Sequence, residues 1–339
     1  MSLTSILKRK NNKLLFTTPS HSGKFIISHK FYHWYKKDIS EVDAYNPQKA
    51  LNDAEKQAAE LYGTKYTKFL TNGSTSGIIS AILASKAKNI LIWSNAHPCH
   101  KNGAILAGAN ITYYDLPLNK DLGINKAIST DYVKELLLKN KADSIVITSP
   151  TYEGFAADIN NISKICRQNN VKLIVDEAHG ALYPFSNELP ESAVKYADYT
   201  VQSLHKTAGG INPTALLHSN DNNPTEALSM INTTSPSYPM LSTIENNIKF
   251  LFSSKGKKEI NKLINNIKEL NIKKYNDDIT KIILKSEKYS GYELSDILFN
   301  KFNIEDERTN EKSTMLLCGI GTDKNKLLRL KQALNYFGF

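Results

Sequence analysis

An α/β fold built on a mostly parallel sheet, with a smaller α+β region after it, is the class this sequence predicts, and three observations carry that expectation. Short apolar runs of strand length alternate with helical stretches from about residue 68 to residue 218. Several of those runs stop abruptly at polar, chemically useful side chains, at Asp176 and again at Ser203-Leu204-His205-Lys206. Runs that are apolar at every position are strands buried on both faces, and ligands gather at the carboxyl ends of such strands. From about residue 243 the alternation gives way to a long Lys/Asn-rich helical stretch and a few short strands. With 339 residues, 41% of them hydrophobic, the chain can bury a large core and form more than one domain.

Taken in order, residues 1–50 form an irregular N-terminal arm rich in aromatics, with Phe31, Tyr32, His33, Trp34 and Tyr35 together. Such an arm wraps a neighbouring subunit or packs on its own core. A helix is expected over 47–62, with Ala50, Leu51, Ala54, Ala58 and Leu61 on one face and Gly63 closing it. Strands are expected at 68–70, 89–93, 111–114, 144–148, 172–175, 199–202 and 215–218, and helices at 77–85, 127–139 and 158–169. This alternation implies a parallel sheet with helices on both faces, a large domain over 51–242. The smaller domain, 243–339, reads as a helical region to 275, a strand at 279–285, a helix at 292–302, a strand at 314–318 and a final helix at 324–337.

Composition excludes several function classes. No run approaches the ~20 apolar residues of a membrane span, and residues 1–13 are polar and basic, unlike a secretory signal. Cys99, Cys166 and Cys318 lie far apart without a CxxC pair, which argues against a disulfide framework or a metal site and fits a reducing cytoplasm. The net charge of +10 comes from dispersed lysines, so it reads as a soluble surface and not as a nucleic-acid footprint.

The strand ends carry the chemistry. Asp176 closes the run 172–176, and Ser203, His205 and Lys206 follow the run 199–202. A lysine that forms a Schiff base, a carboxylate that keeps a pyridine nitrogen protonated, and hydroxyl and imidazole groups for a phosphate are what pyridoxal phosphate requires. Residues 71–77, Thr-Asn-Gly-Ser-Thr-Ser-Gly, enter a helix with glycines and hydroxyls suited to an anion; ordinary helix capping uses the same residues. His100, in the loop after strand 89–93, is the candidate to lie flat on the cofactor ring; His21 and His97 are lesser candidates. The loop 149–154 ends another strand and faces the same crevice.

Together these segments resemble the Orn/Lys/Arg decarboxylase family of fold type I pyridoxal-phosphate enzymes. The matching elements are residues 18–23, 71–77, 99–101, 149–152, 175–180, 202–207 and 234–238, in family order, with weaker matches at 289–293 and 319–322. The resemblance implies pyridoxal 5′-phosphate bonded to Lys206, with Asp176 on the pyridine nitrogen, His100 stacked on the ring and His179 near the phenolic oxygen. Ser74, Thr75, Ser203 and His205 become phosphate ligands, and Thr234 and Ser235 reach the phosphate of a neighbouring subunit in a homodimer with shared sites. The implied reaction is decarboxylation of lysine, ornithine or arginine to the amine, with Glu153 as a first candidate for the substrate's distal cation. Alternatives are transamination or lyase chemistry on the same cofactor, or a non-catalytic cofactor-binding regulatory subunit. The chain departs from the family pattern at Pro19-Ser20-His21-Ser22-Gly23, at Glu153 and at residues 208–214, and it reads as a short form ending at Phe339, before the family's usual C-terminal domain.

Overall fold

The computed structural model describes residues 14–17, 38–42, 44 and 46–339. The motif at 18–23, with His21, and the aromatic run 31–35 lie outside the described residues. After β1 (Leu14–Leu15) comes α1 (Pro47–Tyr62). Proline at its first position costs no hydrogen bond there, the Asn46 side chain accepts from Lys49 N, and Gly63 closes it with φ +70°.

Strands and helices then alternate: β2 (Tyr66–Leu70), α2 (Gly73–Ser85), β3 (Asn89–Trp93), α3 (Pro98–Leu106) and β4 (Asn110–Tyr114). A small hairpin, β5 (Leu118–Asn119) and β6 (Ile124–Asn125), leads to α4 (Thr130–Lys139), β7 (Ser144–Thr148), α5 (Ile159–Gln168) and β8 (Lys172–Asp176). The series closes with β9 (Tyr199–Ser203), the short α6 (Leu204–Thr207), β10 (Ala215–Ser219) and α7 (Thr225–Ser229).

Seven of these strands form one sheet in the order β2-β10-β9-β8-β7-β3-β4, with β10 antiparallel to both neighbours and the other observed pairings parallel. Alternate residues feed two cores. Leu91, Ile145, Ile147, Leu173 and Val175 pack on one face, and Ile90, Ile92, Val146, Ile174 and Val201 pack on the other. Burial on both faces is why these strands read as continuous apolar runs. The carboxyl ends of β2, β3, β7, β8 and β9 consequently share one edge, and β10 begins there with Ala215 opposite Leu70 and Ser203.

Beyond lie α8 (Tyr238–Phe252), α9 (Ser254–Lys268), β11 (Lys281–Leu284), α10 (Gly291–Lys301), β12 (Ile304–Glu305), β13 (Arg308–Thr309), β14 (Thr314–Leu317) and α11 (Lys324–Phe337). The helical stretch expected to run from 243 to 275 is two helices. Ser253 ends the first and caps the second through its hydroxyl at Gly256 N. Gly256 sits so close to the preceding turn that a Cβ would lie 2.0 Å from Phe250 O, so the corner requires glycine. A three-stranded antiparallel sheet, β11-β14-β13, completes this region. One core containing Phe16, Leu204, Ile244, Ile248, Leu298, Leu316 and Leu330 joins it to the seven-stranded sheet.

Candidate active site

Most of the site residues sit where a strand stops. β8 delivers Asp176, and the turn after it delivers His179; β9 delivers Ser203, and α6 carries His205 and Lys206. Lys206 Nζ lies 3.0 Å from His179 Nε2. His100 enters from α3, wholly buried, with Nε2 2.9 Å from Asp176 Oδ2. The other Asp176 oxygen accepts the Ala178 N–H at 3.1 Å. Four residues from three widely separated segments of the chain thus form one cluster at the sheet edge.

The electrostatics follow from burial and charge. Burial alone would raise the Asp176 pKa, but the His100 hydrogen bond and charge, helped by Lys206 and the Ala178 N–H, hold the carboxyl below its ordinary range. Burial lowers the Lys206 pKa, against the attraction of Asp176 and Glu307. Burial also holds His179 well below the ordinary histidine range, and the cationic groups Lys206, Lys281, His205 and Arg308 push the same way. The pair is therefore a lysine with an enlarged neutral fraction beside a neutral imidazole.

The anion end is built from α2 and its surroundings. Gly73 adopts φ +72° and donates to Pro213 O at 2.8 Å, while Asn72 makes no side-chain cap hydrogen bond, leaving the remaining N-terminal N–H groups of α2 toward this edge. Gly77 lets α2 press on the sheet: a Cβ there would stand 2.6 Å from Leu70 Cδ1 and 2.8 Å from Val201 Cγ1. Ser74 is half-buried and Thr75 is exposed. His205 Nδ1 is held 3.0 Å from Thr214 O. Thr234 and Ser235 are exposed, and Thr234 lines a cavity of about 860 Å³ together with Thr71 and Asn72.

The residues fit pyridoxal phosphate. Among the described residues, Ser203 Oγ, Thr207 Oγ1, His100 Nδ1 and His179 Nδ1 are buried without a hydrogen-bond partner, a concentration that calls for a polar occupant. An amine, a carboxylate, hydroxyls and a helix N-terminus match the group's aldehyde, ring nitrogen and phosphate in chemical type.

Three features were not visible from sequence spacing. Cys99 joins His100 and Asp176, their ligand atoms all within 4.8 Å of one another, although the cysteines are scattered in the chain. Tyr152 lays its ring 4.5 Å from that of His179 and donates its hydroxyl to Glu307 Oε1 at 2.5 Å. Glu153, the first candidate for a substrate cation, is buried and already faces Arg308 Nη1 at 3.3 Å; burial raises its pKa and Arg308 opposes that. Glu307 in the β12–β13 turn and Arg308 at the start of β13 come about a hundred residues past Lys206, where no motif marks them.

Comparison with known proteins places these observations in a family. Residues 6–287 match the family model described as Orn/Lys/Arg decarboxylase, major domain. The arginine decarboxylase of Bacillus subtilis (strain 168) is 28% identical over 322 residues, covering 86% of this chain and 66% of that relative. The solved constitutive lysine decarboxylase of E. coli superposes with a TM-score of 0.71 at 20% identity over 85% of this chain, and this chain spans 51% of it. A sphingosine-1-phosphate lyase from Burkholderia pseudomallei K96243 superposes with a TM-score of 0.77 at 15% identity, covering 99% of this chain and 89% of the lyase. The chain thus spans two thirds or less of the first two relatives, and the structural likenesses speak for the fold.

Proposed function

The chain belongs to the Orn/Lys/Arg decarboxylase family, and from that membership we propose that it converts a basic amino acid (lysine, ornithine or arginine) to its amine and carbon dioxide, using pyridoxal 5′-phosphate bonded to Lys206. The observation that carries this reading is the half-buried Lys206 amine 3.0 Å from His179, in the field of an Asp176 that His100 braces.

When bound, pyridoxal phosphate supplies a positively charged conjugated ring that accepts the electron pair left as carbon dioxide departs. Asp176 would hold that positive charge at the ring nitrogen, and the His100 hydrogen bond keeps its carboxylate ionised and oriented. His100 also offers its buried ring as a face for the cofactor. Lys206, with its lowered pKa, would hold the cofactor, and its free amine is within reach of a proton exchange with His179 at Nε2, 3.0 Å away. Ser74, Thr75, Ser203 and His205 hold the phosphate beside the α2 N-terminus, and Thr234 and Ser235 serve a second subunit.

Glu307 is the better candidate for the substrate's distal cation. Its carboxylate is half-buried, meets the Tyr152 hydroxyl beside His179, and attracts Lys206. Glu153 stays with Arg308 as a wall of the crevice.

The test is to load the purified chain with pyridoxal phosphate and offer lysine, ornithine and arginine separately. Equal yields of carbon dioxide and the matching amine are expected with at least one. A keto acid without carbon dioxide indicates an aminotransferase, and a bound chromophore with no turnover on any amino acid indicates a regulatory subunit.

A further inference from the structure

Behind the site lies a buried ion pair that the proposed reaction does not use. Lys281 at the start of β11 and Asp278 three residues earlier contact each other directly, both side chains wholly buried. Apolar residues of similar volume commonly hold a fold as well as a buried ion pair does, so stability is a poor reason for this one.

The pair's other contacts give a better reason. Lys281 Nζ donates to the main-chain carbonyl of His179 at 3.2 Å, and the Tyr183 hydroxyl donates to Asp278 Oδ2 at 2.8 Å. Both contacts grip the turn after β8. The same segment also grips the loop after β7. Asn276 Nδ2 donates to the carbonyls of Glu153 at 2.6 Å and Lys281 at 2.8 Å, and the N–H groups of Asp277 and Asp278 reach Gly154 O at 3.0 and 3.1 Å. Gly154 has φ +90°, and a Cβ on it would stand 2.9 Å from Lys281 Cδ, so the lysine stem is enclosed. Residues 276–281 therefore hold His179 from behind and Glu153–Gly154 from the side, next to the point where the Tyr152 and His179 rings meet.

Resting on the decarboxylase reading, we propose that Lys281 is a positioning residue: it fixes the main chain of His179, and thereby the imidazole that meets Lys206, so that docking of the three-stranded sheet sets the geometry of the reacting lysine. Its charge acts in the same place. The charged groups acting on His179 are Lys206, Lys281, His205 and Arg308, with the Tyr152 ring packed against it; those acting on Lys206 are Asp176, Glu307 and Cys99 in favour of its charge and Lys281 against it. Lys281 appears in both sets, and Asp278, in direct contact with it, offsets its charge there in part.

Two variants test this, Asp278→Asn and the double variant Lys281→Met/Asp278→Asn. The readouts are thermal unfolding, borohydride labelling of Lys206, the pH midpoint of the cofactor–lysine absorbance, and kcat with KM. Asp278→Asn leaves the ammonium uncompensated and is expected to lower the midpoint. The double variant removes the charge and the hydrogen bond to His179, and is expected to raise the midpoint. Each shift is expected to be about half a pH unit or more. In the double variant kcat is expected to fall about tenfold or more while KM stays within about threefold. Midpoints that do not move, or that move the same way in both variants, would reduce the pair to a structural element. If the double variant fails to fold, Asp278→Asn decides alone: a lowered midpoint supports the proposal, and an unchanged one overturns it. Failure of the wild-type chain to label at Lys206, by contrast, sinks the decarboxylase reading itself. A wild-type chain that labels but releases no carbon dioxide leaves the midpoint test intact.

Discussion

Asp176 has each oxygen engaged, one by the buried His100 and the other by the Ala178 N–H. A carboxylate fixed on two sides is a rigid counter-charge, which suits an electron sink better than a mobile surface acid. Asp176→Asn is expected to fold and retain some cofactor while kcat falls about a thousandfold or more, the scale of losing a preorganised charge; near-normal turnover would remove the carboxylate from its role. Glu307→Gln is expected to leave Lys206 labelling intact and to raise KM for the cationic substrate about tenfold or more, the scale of one charge-assisted contact. An unchanged KM would return the distal cation to another residue. At this scale the sequence was informative only where chemistry coincides with a strand end. Asp176 and Lys206 stand out because buried apolar runs stop at them. Glu307 sits between two-residue strands with no periodicity around it, and its approach to Lys206 exists only after the fold has formed.

At the scale of elements, a second carboxylate follows the first just past the end of β8. Glu177 is 1% exposed and accepts from Ser192 Oγ, Ala193 N and Gln202 Nε2 at 2.6–2.7 Å. Gln202 in turn meets His218, which meets Thr67, tying β8, β9, β10 and β2 together below the site edge. Burial outweighs those donors and raises the Glu177 pKa from 4.5 to about 7. The folded state therefore binds a proton more tightly than the unfolded state. The stability this contributes is full below about pH 4.5 and is lost as pH rises through about 7, on the order of 3 kcal/mol at most. Urea unfolding across that window is expected to show stability falling with pH in the wild type and a flatter profile in Glu177→Gln; identical profiles would contradict the burial argument. The elements themselves were mostly legible because burial on both sheet faces leaves a strong signature in β3, β7 and β8. The corner between α8 and α9 was not, since Ser253 and Gly256 act through a close approach to Phe250 O that no helical periodicity reveals.

For the molecule as a whole, the α/β class was readable from the alternation of strands and helices, whereas the grip of residues 276–281 on the site loops was not, because it joins residues about a hundred apart. The hydroxyl-rich loop at 233–235 is exposed and leads into α8, whose Tyr238 and Pro239 line an apolar groove of about 480 Å³ with Leu51 and Phe69. A homodimer sharing its sites through this loop makes a testable demand. Chains carrying Lys206→Ala, mixed with chains carrying Thr234→Ala and Ser235→Ala, are expected to regain part of the activity, because one site in each hybrid combines an intact lysine with an intact loop. Hybrids that form without recovery would confine each site to one chain. Everything else depends on Lys206 holding the cofactor. The most direct measurement is borohydride reduction of the pyridoxal-phosphate-loaded chain, followed by peptide mass spectrometry. The expected result is the reduced cofactor's mass on the peptide containing Lys206 and its absence from a Lys206→Ala chain; a label on any other lysine would contradict the assignment.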